Sequence, residues 1–174
     1  MRLISTLAFS LFLCLTISAQ KKAPSPFSTS TQTVGLTDIT VEYSRPGLKD
    51  RQAFGEDSPL APLGKLWRTG ANAPTMITFS DDVKVGGQDV PAGKYAVLTM
   101  PGADTWKFHL YTPQEGYWVV YREATPVAAV EATPTTSNET IESFLISLDH
   151  LRDTSAHLNL AWGNTRVAIP IEVK

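Results

Sequence analysis

The chain has 174 residues, 43% hydrophobic and 18% charged, which fits one globular domain with its own core and excludes disordered, collagen-like and disulfide-framework proteins. Its formal net charge of −2 argues against nucleic acid as a partner, because phosphate backbones require a basic patch.

The N-terminus reads as an export signal. Arg2 is followed by an uncharged apolar run, Leu3 to Ile17, and then by the small pair Ser18-Ala19, so cleavage is expected after Ala19, giving a signal peptide over 1–19. The run falls short of the roughly 20 apolar residues that span a bilayer, so no membrane span is expected after cleavage. Leu13 is too bulky for the position before a lipoprotein cysteine, and Cys14 is the only cysteine. The mature chain is therefore expected in the periplasm or outside the cell, with no disulfide, thiol nucleophile or thiolate metal ligand. Losing Arg2 leaves 14 of the 15 basic side chains against 17 acidic ones, a net charge of −3.

Residues 20–30 are polar and contain prolines, and read as a linker before a single domain over 31–174. Ile39, Val41 and Tyr43 alternate with Asp38, Thr40 and Glu42, the period of a half-buried strand. Ser44-Arg45-Pro46-Gly47 ends it. A long loop follows, in which Leu60 to Leu66 offers at most one helical turn. Further strands are expected at Met76 to Ser80, Val83 to Val85, Lys94 to Met100, Trp106 to Tyr111 and Tyr117 to Tyr121. Gly86-Gly87 signals a two-residue hairpin, and Val90-Pro91-Ala92-Gly93 another turn. The segment Glu123 to Ser137 reads as a small-residue strand flanked by prolines, hence near an edge. Glu142 to Leu148 and Ser155 to Trp162 are two more strands. Gly163-Asn164 is read as the turn of a closing hairpin into Val167, Ile169, Ile171 and Val173. About nine short strands with turn signals between them give an all-β fold, an antiparallel β-sandwich (jelly-roll-like) with one long loop between early strands.

Several motifs along this chain resemble a known family. Tyr43-Ser44-Arg45-Pro46, Arg51, Phe54-Gly55 and the run Pro62-Leu63-Gly64-Lys65-Leu66-Trp67-Arg68-Thr69-Gly70-Ala71-Asn72 are similar to the secreted bacterial family called domain of unknown function 2911. Val90-Pro91-Ala92-Gly93-Lys94-Tyr95, Trp162-Gly163 and Arg166-Val167 continue the likeness from about Ser30 to the end. The resemblance supports export and the fold. It implies no activity, because the family has none established.

Arg45, Arg51 and Arg68 with Asn72 are the polar group most suited to a site. Guanidinium forks bind carboxylates and phosphates at two points, and Trp67 is placed to act as a stacking wall. The structural alternative, which long loops favour because they need internal bonds, is that the arginines pair with Asp50, Glu56 and Asp57. His109, His150 and His157 lack metal-ligand spacing, although His150 and His157 fall at neighbouring strand ends. His109 is expected to face solvent. Asp81-Asp82 with Asp89, and Glu142 with Asp149, lack the spacing of a calcium loop. Tyr111, Tyr117, Trp118 and Tyr121 crowd one stretch, where alternate members are expected to face the core. No nucleophile elbow, phosphate loop or dinucleotide fingerprint occurs, so no catalytic residue, cofactor or metal is expected. The leading expectation is a non-enzymatic binding module for a small anionic or carbohydrate-like ligand. The alternatives are a structural or interaction protein of the cell envelope, and a hydrolase without a recognisable motif.

Overall fold

The computed structural model describes residues 23–174; the signal peptide over 1–19 and its cleavage point lie outside the described residues. Twelve strands follow in chain order: β1 Phe27–Val34, β2 Thr37–Ser44, β3 Phe54–Gly55, β4 Ala61–Pro62, β5 Thr75–Phe79, β6 Val83–Val85, β7 Gln88–Val90, β8 Gly93–Met100, β9 Trp106–Tyr111, β10 Ala128–Ala132, β11 Thr135–Arg152 and β12 Ser155–Glu172. A six-stranded sheet has the order β1-β2-β5-β8-β9-β10 and a four-stranded sheet the order β11-β12-β6-β7; both are antiparallel throughout. The expected all-β sandwich is the architecture found. Its larger sheet follows chain order except for the excursions of β3-β4 and of β6-β7, a meander simpler than the double Greek key of a jelly roll.

The core is the set of inward positions of both sheets. Ile39, Val41 and Tyr43 of β2 are buried beneath Phe144 and Ile146 of β11 and Leu158, Leu160 and Trp162 of β12. Burying each such side chain is worth about 1.5–3 kcal/mol. β8 is buried on both faces: Val97 points to the sandwich core, while Ala96 and Leu98 join Tyr111 and Tyr121 in a second cluster on the outer face. Its continuous apolar run is the signature of that double burial.

Four sequence expectations are corrected. β1 begins at Phe27, inside the segment read as linker, because Phe27 to Val34 pair in register with Ser44 to Thr37. Tyr117 to Tyr121 is no strand; Trp118–Arg122 is a 3-10 helix whose backbone bonds are local, Val120 N–H to Tyr117 O and Ala124 N–H to Tyr121 O. Leu60 to Leu66 forms no helical turn, since Ala61–Pro62 pairs in parallel with Phe54–Gly55. Gly163-Asn164 is no turn either. β12 runs straight through it beside an equally long β11, with Gly163 at φ 56 where the register between the two strands shifts, as a β-bulge requires. The hairpin lies instead between Arg152 and Ser155.

Candidate functional site

The long loop between β2 and β5 is tied down along its length. Leu48 N–H donates to Glu142 O, Phe144 N–H to Pro46 O and Ala71 N–H to Ser44 O. Trp67 and Thr99 exchange both backbone bonds, so Leu66-Trp67-Arg68 lies beside the end of β8 as a strand would. Strand alternation then decides the side chains. Trp67 turns inward, 4% exposed, and stacks on Trp162 with ring centres 5.7 Å apart and planes 12° apart. Phe54 and Phe144 meet its edges, and its Nε1 donates to Gly70 O at 3.1 Å. Arg68 turns the other way, onto the outer face of the six-stranded sheet, with its guanidinium 5.8 Å from the Trp118 ring centre. The aromatic partner of Arg68 is therefore Trp118 and not its neighbour Trp67, whose ring belongs to the core.

Arg51, Trp67, Arg68 and Asn72 line one cleft of about 560 Å³; Arg45 does not. Arg45 is a tie between the sheets, its Nε donating to Phe144 O at 2.9 Å and its Nη2 to Ser143 O. Arg51 Nε and Nη2 donate to Leu48 O and Gly47 O. Asn72, at φ 60, donates through Nδ2 to Ser25 O and Ser44 Oγ. The expected pairing with Asp50, Glu56 and Asp57 does not occur: among the described residues the ion pairs all use lysine. Arg68 is different again. Its side chain has no acceptor among the described residues, and its Nε is buried. Lys49, which the sequence reading passed over, joins Arg51 and Arg68 in the cleft, and no carboxylate or histidine is in the lining. No local motif marks Lys49; only the path of the loop brings it there.

The other titratable groups are occupied elsewhere. His109 is half-buried rather than solvent-facing; desolvation, then the charge of Lys107, holds its imidazole below its usual pKa. Its Nδ1 is 3.2 Å from Tyr111 Oη, and burial pushes the Tyr111 phenol up. The rings of His150 and His157 do approach, with centres 4.9 Å apart. Asp82 accepts from Ala92 N–H and then from Lys174, which lower its pKa, and Asp89 pairs with Lys84 at 2.6 Å. Of the crowded aromatics, Tyr111 and Tyr121 are buried while Tyr117 is 63% exposed.

The model of a family described as Protein of unknown function (DUF2911) matches residues 25–171. No curated protein and no solved structure matches the chain.

Proposed function

The chain belongs to that family of unknown function, and we propose from its own residues that it is an exported, non-enzymatic module that binds a small anionic ligand, a sugar acid or organic phosphate, in the loop cleft. One observation carries this reading: Lys49, Arg51, Arg68 and Asn72 line a single cleft in which three cations outnumber the one neighbouring carboxylate, Glu142, whose Oε1 accepts from Lys49 N–H at 3.0 Å. Like charges gathered in excess of their counter-charge repel one another, and an anion relieves that repulsion. The cleft volume is in the range of small-molecule sites. Trp67 and Trp162 form its apolar back. Binding rather than catalysis is favoured because no histidine lines the cleft and the neighbouring carboxylate, Glu142, is engaged by Lys49 N–H.

The test is thermal unfolding of residues 20–174 against sugar acids, neutral sugars, phosphates and divalent metals. A bound acid at about 100 times its Kd should stabilise the fold by about 2.7 kcal/mol. Lys49→Ala removes a cation whose exposed side chain makes no hydrogen bond or ion pair among the described residues. It should melt like wild type and bind the acid about tenfold more weakly. A panel in which no acid shifts the melt overturns the proposal. That outcome favours the second reading, an envelope protein that docks partners at a sheet edge. Edge strand β1, with Phe27 66% exposed at its start, is the feature behind that reading.

A further inference from the structure

A second cleft, of about 800 Å³, lies on the outer face of the six-stranded sheet, between the loop and the 3-10 helix. It shares Leu60, Trp67 and Arg68 with the loop cleft and no other residue. Three cations line it, Lys65, Arg68 and Arg122, and again no carboxylate does. Arg68 and Arg122 both lie over the Trp118 ring, at 5.8 and 5.4 Å. Holding two guanidinium groups on one indole costs repulsion that a nearby anion would offset. Two side-chain nitrogens, Arg68 Nε and Trp118 Nε1, are buried without an acceptor among the described residues, and both belong to residues of this cleft. Buried donors are nearly always paired, so these two nitrogens call for an acceptor supplied from the cleft. Leu60, Pro62, Leu66 and Met100 give the lining an aliphatic part, beside Trp67, Tyr111 and His109.

We infer that this cleft is a distinct binding site for an acid carrying an aliphatic chain. The acidic head is held by Arg68, Arg122 and Lys65, and the chain lies along Leu66, Met100 and Pro62. A carboxylate or phosphate head accepts the fork geometry of the two arginines, and the flexible Met100 accommodates chains of different shape. His109, below its usual pKa, is neutral at pH 7 and adds a polar edge but no charge.

Trp118 supplies the readout, because the other three tryptophans, Trp67, Trp106 and Trp162, are at most 4% exposed. Decanoate and decyl phosphate are titrated while tryptophan emission is followed, with acetate, inorganic phosphate and decanol as head-only and chain-only probes. Saturable binding of either chain-bearing acid, at least about tenfold tighter than any of these three probes, supports the site. Comparing the two acids distinguishes a fatty acid from a lipid phosphate. Arg122→Ala should weaken that binding about tenfold at an unchanged melting temperature, and Lys49→Ala should leave it unchanged. Trp118→Phe should abolish the emission change while calorimetry still registers heat. The inference is overturned by no binding, by phosphate or decanol binding as tightly as the amphiphiles, or by Arg122→Ala binding like wild type. It is overturned equally if Lys49→Ala is the variant that weakens decanoate, since the loop cleft would then be where it binds.

Discussion

Trp67 and Arg68 are neighbours in sequence and part company in space: one completes the core, the other faces outward onto Trp118. The arginines are equally divergent. Arg45→Ala removes bonds to Phe144 O and Ser143 O and should cost about 1–3 kcal/mol in chemical denaturation, with ligand-induced melting shifts unchanged. If those shifts vanish instead, Arg45 belongs to the site. His109 makes a pH-dependent contribution. Its folded pKa is below the ordinary imidazole value of about 6.5, so the unfolded chain binds more protons in the window between the two values, and stability rises with pH there. Stability should hold above about pH 6.5 and fall as the pH drops through that window. His109→Gln should flatten this part of the stability–pH curve; an unchanged curve would contradict the assignment.

Among the elements, short-range turn chemistry was the most legible. Gly86 and Gly87 have φ 55 and 81 and close β6 onto β7 at Val85 and Gln88, the positive pair that a type I′ turn demands. The two are not equivalent. A Cβ on Gly86 would sit 2.2 Å from Val130 Cγ1 of β10, whereas one on Gly87 meets nothing within 4 Å. Gly86→Ala should therefore destabilise by about 1–3 kcal/mol and Gly87→Ala by about 1 kcal/mol or less, read from urea midpoints at constant slope. Equal losses would mean that Val130 yields freely. Period-two patterns place β2 and β9, a continuous apolar run places β8, and the prolines mark β10 as an edge, because each signal is set by residues a few positions apart. Gly163 misled for the same reason. Whether a glycine turns the chain or bulges it depends on whether a partner strand continues alongside, and β11 is remote from that local signal. The 3-10 helix was likewise read as a strand from its aromatic content, though it has no neighbour to pair with.

For the whole molecule, the sandwich and the family were readable, and the site only in outline. Three of the four residues with charged or amide side chains at the loop cleft, Arg51, Arg68 and Asn72, are named from their chemistry. Lys49 and the Trp118–Arg122 wall come from segments that meet only in three dimensions. The loop is held to both sheets through an aromatic plug of Phe54, Trp67, Phe144 and Trp162, with Phe54 also 4.7 Å from Trp106. Trp162→Ala should cost about 3–5 kcal/mol and weaken anion binding in the loop cleft as well, because the indole is part of its back. A variant that is destabilised yet binds normally would show that the loop holds its shape without the plug.

The stacked indoles come from distant parts of the chain, Trp67 in the loop and Trp162 in the last strand. Contacts so far apart in sequence are slow to form, because loop-closure entropy must be met before they are rewarded. The plug should therefore form late in refolding, and the loop cleft, whose back includes Trp162, should assemble only after β12 has joined the sheet. In stopped-flow refolding, the near-ultraviolet circular dichroism of the coupled indoles should lag behind the far-ultraviolet β signal, and anion binding should appear with the slower phase.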